Sequence, residues 1–214
     1  ARNYLIGRQL NKDFKENGTP KPVAKNNPAF GGFKTEGGGR VINLSNTQWA
    51  LEALYLTDYL DRSSAKVPKD KDKSDLAWKN AVTFLTRLQQ VPESTDEQWV
   101  VTGRDGKQFG GFSSYAPNDE KEGGARPGTL SAFGTMTYAG LKSMIYAKVR
   151  RNDPRVKAAV EWARNNYTLD VNPGLGAEGH YYYMHTFAKA MAALGADSLL
   201  VKGGAKRHWR ADLL

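Results

Sequence analysis

One helix-loop-helix unit is written three times along this chain, and self-similarity at a fixed period restricts the fold to stacked supersecondary units before any single residue is considered. Tyr4-Leu5, Phe84-Leu85 and Trp162-Ala163 align at spacings of 80 and 78 residues, a register that also superposes Ala1, Ala81 and Ala159. Gln9 then falls over Gln89, and Tyr167 takes the glutamine's place in the third copy. Gly31-Gly32-Phe33 and Gly110-Gly111-Phe112 follow, 79 residues apart, with Pro173-Gly174-Leu175-Gly176 in the third position. Each turn leads into a further helical run opened by a threonine: Thr47-Gln48-Trp49-Ala50, Thr137-Tyr138-Ala139-Gly140 and Thr186-Phe187-Ala188-Lys189. The repeats cover about 1–60, 75–149 and 154–194, and another starts at 208–214.

Apolar spacing of three and four places the helices. Residues 1–10 read as the end of one, and 46–60 as a second with Ser45 or Asn46 as its N-cap. Beyond a charged loop, 62–73, Asp75 caps a third whose buried stripe is Leu76, Trp78, Ala81, Val82, Leu85 and Leu88, with Pro92 marking its end. The long connection 93–128 holds a short extended pair around Trp99-Val100-Val101 and Lys107-Gln108-Phe109, turning at Arg104-Asp105-Gly106. A fourth helix spans 130–148, Asp153-Pro154 opens a fifth that runs to Tyr167, and a sixth covers 180–194, stopped by Gly195. His208 begins a seventh. The expected fold is all-α, one domain over 1–214 with long loops.

Composition narrows the partners. Apolar runs are too short for a membrane span, and the absence of cysteine excludes a disulfide framework and thiolate metal sites while leaving the compartment open. The net charge of +9 gathers at 12–25, 62–73 and 202–210, stretches rich in Pro, Gly, Asn or Asp that read as solvated loops. Without a recognition-helix, zinc-finger or aromatic RNA-binding pattern, this charge predicts weak attraction to anionic surfaces and no specific nucleic-acid partner. Gly31, Gly32, Gly110 and Gly111 permit tight turns; no Gly-Lys-Ser/Thr follows them to make a phosphate loop.

Ala81, Phe84, Leu85 and Gln89, then Gly-Gly-Phe, then a helix opened by Thr-aromatic-Ala, together resemble the repeat shared by squalene and oxidosqualene cyclases and the β subunits of protein prenyltransferases. Residues 134–144 and 181–186 also look like bacterial repeat-containing members of that superfamily. The resemblance covers nearly the whole chain. It implies alternating outer and inner helices closing into an α/α toroid, with the glutamine ending each outer helix. Such a toroid uses about six hairpins, stacked so that each buries its neighbour's apolar face. This chain supplies three, beginning and stopping within helices, so the expectation is a fragment of a longer protein or a half-toroid that pairs with a second.

The resemblance also implies what chemistry to look for. The cyclases' Asp-x-Asp-Asp acid has no counterpart; Asp70-Lys71-Asp72-Lys73 is lysine-rich and a poor buried acid. The prenyltransferase zinc site uses an Asp, a Cys and a His. Tyr183-Met184-His185-Thr186 resembles the segment that carries the histidine, but Thr135 to Tyr138 holds neither of the other two ligands, so neither a metal site nor a cofactor is expected. His185, with Asp170 or His180 as partner, is the candidate ligand contact or proton carrier; the alternative is a histidine bonded to a neighbouring loop. Tyr181, Tyr182 and Tyr183, with Trp49 and Tyr138 at equivalent inner-helix starts, are either the aromatic lining of an isoprenoid pocket or core. The functional expectation is an apolar cavity for an isoprenoid or other lipid. The alternatives are a non-catalytic scaffold for a protein or peptide, and a polysaccharide-active α/α barrel using Glu36, Asp119, Glu122 or Glu178 beside Arg40 or Arg126.

Overall fold

The computed structural model describes residues 1–35, 42–60, 68–95, 97, 99–100, 107–115 and 131–214, with backbone alone for 68–76. It is mainly helical: α1 (Arg2–Gly7), α2 (Leu44–Leu56), α3 (Pro68–Leu88), α4 (Gly134–Tyr146), α5 (Pro154–Asn165), α6 (His180–Leu194) and α7 (Trp209–Asp212). A 3₁₀ turn, Pro92–Ser94, follows α3. α4 packs against α2, α5 and α6, with α1 beside α2 and α3. Among the described residues, no helix is long and apolar enough to cross a membrane.

The first two turns are built alike, bond for bond. Gln9 and Gln89 are both buried. Gln9 Nε2 donates to Gly31 O at 3.0 Å and to Ala77 O on α3 at 2.8 Å. Gln89 Nε2 donates to Gly110 O at 3.1 Å and to Arg155 O on α5 at 2.8 Å. Each glutamine therefore ties its own glycine turn to a later helix, α3 for Gln9 and α5 for Gln89. The turn aromatics repeat the pattern: Phe33 N donates to Thr47 Oγ1 at 3.2 Å and Phe112 N to Thr137 Oγ1 at 3.1 Å. Glycine is required at both turns. Gly31 and Gly110 hold φ of 90° and 84°, and a Cβ there would stand 1.9 Å from Asn80 O and 2.1 Å from Ala158 O.

Two later turns also complete the starts of α2 and α4, where N–H groups lack intrahelical partners. Leu44 N donates to Ser114 O at 2.7 Å, and Gly134 N to Pro173 O at 2.7 Å. α4 opens on Phe133, which offers no side-chain cap, and Asn172 Oδ1 accepts from Thr135 N instead, at 3.1 Å. In the third copy Tyr167 has the glutamine's role by another route, its hydroxyl donating to Asp212 Oδ2 on α7 at 2.5 Å.

Several local expectations are corrected. Asn43, not Ser45 or Asn46, caps α2, its side chain accepting from Asn46 N at 2.9 Å. Residues 68–73, expected in a loop, are the start of α3: Pro68 suits a first turn, and opposite charges three apart, as in Lys69/Asp72, favour helix. α5 ends at Asn165 rather than Tyr167. The described part of the extended pair at 99–109 is turn and bend, anchored to helices: Trp99 Nε1 donates to Arg87 O at 2.9 Å, and Lys107 O accepts from Trp162 Nε1 at 2.8 Å. Its predicted turn at 104–106 lies outside the described residues. Two short antiparallel pairs were not anticipated, β1 (Lys15–Glu16) with β2 (Thr19–Pro20) and β3 (Leu199–Leu200) with β4 (Lys206–Arg207). The first turns on Asn17-Gly18, both at positive φ, a two-residue hairpin signal present in the sequence.

Removing a glutamine tie leaves two buried carbonyls without that donor. Gln89→Leu is expected to cost about 2 kcal/mol, read as a shift of the urea unfolding midpoint. Gln9→Leu should cost a similar amount, because its two bonds have the same geometry.

Candidate functional site

Each helix of the α2, α4 and α6 row carries a single Asp, Glu, Lys or Arg: Glu52, Lys142 and Lys189. The packing brings all three together. Glu52 Oε2 lies 2.6 Å from Lys142 Nζ, and Glu52 Oε1 lies 2.6 Å from Lys189 Nζ. Lys142 has 0% side-chain exposure and Glu52 6%, while Lys189 reaches solvent at 44%. One carboxylate thus sits between two ammoniums, one buried and one at the surface.

Burial alone would raise the Glu52 carboxyl, but the hydrogen bonds from Lys142 and Lys189 outweigh it and hold the group below its ordinary value. Burial lowers the Lys142 ammonium, and the Glu52 bond only partly restores it. The Lys142 Nζ also stands 5.2 Å from the centroid of the Trp49 ring and 5.9 Å from that of Tyr146. Burial, then the nearby Glu52 charge, pushes the Tyr146 hydroxyl up to about 12.

An aromatic layer covers this cluster. Trp49 from α2 and His185 from α6 stack at 5.4 Å with planes 26° apart, and Tyr55 stacks on Tyr146 at 4.4 Å. Trp49 is 45% exposed, whereas Trp78, Trp99, Trp162 and Trp209 are all buried. Tyr182 bridges the same two helices, its hydroxyl 2.8 Å from Ser45 Oγ and bonded to Gln48 Nε2. Beside Trp49 opens a cleft of about 370 Å³ between α1 and α2, with Tyr4, Leu5, Phe33 and Ala50 in its walls. The cations at its rim are occupied: Arg8 donates to the carbonyls of Lys34 and Thr35, and Lys34 pairs with Glu16.

The other predicted site residues separate. Tyr138 and Tyr183 are fully buried in a cluster with Trp162, Phe187 and Trp209, so they contribute packing rather than an open surface. Tyr181 is 89% exposed. His180 bonds Leu169 O at 2.7 Å and stacks on Tyr183. Asp170 bonds with Thr168, and no hydrogen bond or ion pair among the described residues joins it to His185. Glu178 is exposed and in the turn before α6; Glu36, Arg40, Asp119, Glu122 and Arg126 lie outside the described residues. No three His, Cys, Asp or Glu side chains converge among the described residues. Sequence reasoning passed over Glu52, Lys142 and Lys189, although a lone charge in each of three apolar helices was a readable signal.

No family model matches the chain, and neither a curated protein nor a solved structure matches it.

Deleting the carboxylate strands a buried ammonium. Glu52→Ala should cost about 3–5 kcal/mol, and Glu52→Leu combined with Lys142→Met should restore most of it. Both groups have folded values below their unfolded ones. Glu52 therefore stabilises fully above the ordinary carboxylate range and loses this as pH falls through its folded value, while stability rises again as pH climbs from the Lys142 folded value toward 10.5. Urea unfolding across pH, for wild type and the double variant, reads this difference; both limbs should be shallower in the double variant, where Glu16, Asp153 and Asp212 still contribute to the acid limb.

Proposed function

We propose that this chain is a stack of hairpins of the squalene cyclase and prenyltransferase type, part of an α/α toroid, and that its Trp49 face binds an isoprenoid or similar lipid rather than initiating acid chemistry. The observation that carries the reading is Trp49 itself, a half-exposed indole at the edge of an aromatic-walled cleft, in a protein whose other tryptophans are buried. Apolar clefts with a few polar rim groups are the usual form of small-ligand sites. Lys34 is neutralised by Glu16 and Arg8 is turned onto the carbonyls of Lys34 and Thr35, so a prenol, whose single hydroxyl needs no counter-ion, suits the cleft.

Acid-initiated cyclisation needs a proton donor, and Glu52 is the wrong kind of carboxyl for it. Clasped by two lysines and held below its ordinary value, it stays ionised. Its part in this reading is structural, fixing α2 against α4 and α6 so that Trp49 and His185 meet.

A second reading, a scaffold for a protein or peptide, is favoured by exposed apolar side chains at the end of α2 and just beyond it: Leu56 at 60%, Tyr59 at 64% and Leu60 at 47%. Farnesol titration separates the two. Under the lipid reading, farnesol gives a saturable change in tryptophan fluorescence and shields Trp49 from acrylamide. Trp49→Ala should weaken binding by about tenfold, in proportion to the apolar area lost. Absence of saturable binding, or a fluorescence change that persists in Trp49→Phe, would favour the scaffold.

A further inference from the structure

Four cationic side chains without carboxylate partners line one cleft on the far side of α5. Three arginines at this end of the chain are matched: Arg155 with Asp153 at 2.9 Å, Arg207 with Asp212 at 2.9 Å, and Arg210 with Asp197 at 2.7 Å. A polar cleft of about 710 Å³ between α3 and α5 follows this pattern for two of its three cations, Arg87 pairing with Glu97 at 2.8 Å and Arg155 with Asp153, while Lys25 has no ion pair among the described residues. The cleft between α5, the end of α6 and the β3–β4 pair does not. Its volume is about 630 Å³, and Arg151, Lys157, Arg164 and Lys202 surround it. Among the described residues, the one side-chain hydrogen bond that any of the four makes is Arg164 Nε to Leu200 O at 2.6 Å, which leaves the outer guanidinium nitrogens available.

We propose that this cleft binds a small polyanion, two or more phosphate or sulfate groups carried on a hydroxylated ring. Lys157, Glu161 and Arg164 recur at four and three along α5 and so share one helix face. Four cations face one carboxylate, an excess that a singly charged anion does not match, while Glu161 accepts from ligand hydroxyls. Val160, Leu194 and Val201 give the cleft an apolar floor for the C–H face of a ring, and its volume lies in the range of small-ligand sites. Guanidinium forks match phosphate and sulfate oxygens in pairs. Concavity separates this site from a flat basic patch that would lie against a membrane or a nucleic-acid backbone. Its lining shares no residue with the Trp49 cleft or the Glu52 cluster.

Isothermal titration with inositol 1,4,5-trisphosphate, which carries phosphates and free hydroxyls on one ring, tests the assignment at physiological salt. The expected result is saturable binding at a single site, weakened by about tenfold for each side chain removed in Arg151→Gln and Lys157→Gln and more in the pair, while farnesol affinity is unchanged. Neither side chain makes a hydrogen bond within the described protein, so both variants should fold. The pair Arg207→Gln and Arg210→Gln removes the same charge from matched cations and should leave affinity near the wild-type value. Equal loss in both pairs would reduce the effect to diffuse charge and overturn the proposal. So would an absence of saturable binding, or a preference for phosphatidylserine vesicles at matched phosphate.

Discussion

The carboxamide of a buried glutamine holds this architecture in register. Gln9 and Gln89 each follow the end of a helix, α1 and α3, and each spends both N–H donors on backbone carbonyls, one in its own turn and one on a later helix, 68 and 66 residues away respectively. A buried carbonyl that loses its donor costs more than a hydrogen bond ordinarily contributes, so these positions tolerate few substitutes. The glycines beside them admit the close approach of α3 and α5, and the turn aromatics fix the threonines near the starts of α2 and α4. Where the third copy has Tyr167, a longer side chain reaches α7 through Asp212 and the same connection is made with different chemistry.

This rigid frame makes a costly interior possible. α4 is buried along nearly its whole length, so Lys142 has no route to water and depends on Glu52. An ion pair of this kind adds little net stability against an apolar alternative, because desolvation consumes most of the attraction; what it supplies is a penalty for any other register of the three helices. The second lysine, Lys189, keeps Glu52 ionised and brings α6 to α2. The stack of Trp49 on His185 then closes over the cluster, placing an indole at the surface beside an apolar cleft.

The parts of the fold legible in the sequence are those governed by local chemistry. Asp153-Pro154 predicted a helix start with proline in the first turn, and the structure has it, with Asp153 Oδ1 accepting from Arg155 N at 2.9 Å as the cap. Gly195 predicted a stop and takes a left-handed conformation at the end of α6. Long-range choices were less readable. Asn43 outcompetes Ser45 as a cap because Ser114 O and the Tyr115 bridge fix where α2 begins. Trp99 reads as strand but is drawn to the end of α3 by its indole N–H. For the site, Trp49 and His185 were picked out separately, and only their contact across two helices reveals the platform. Tyr138 and Tyr183 carry the same aromatic signal, yet face the α5 side of the packing, a distinction that periodicity within short helices does not resolve.

If the glutamine ties weld the repeats into one cooperative unit, the amides they organise must open only when the whole frame opens. Native-state hydrogen exchange on Leu10, Gly31, Gln90 and Gly110, whose N–H groups all bond across the turns, measures this directly against Leu141 in buried α4. These turn amides are expected to share the opening free energy and denaturant dependence of Leu141. Exchange through small local openings while α4 stays protected would contradict this.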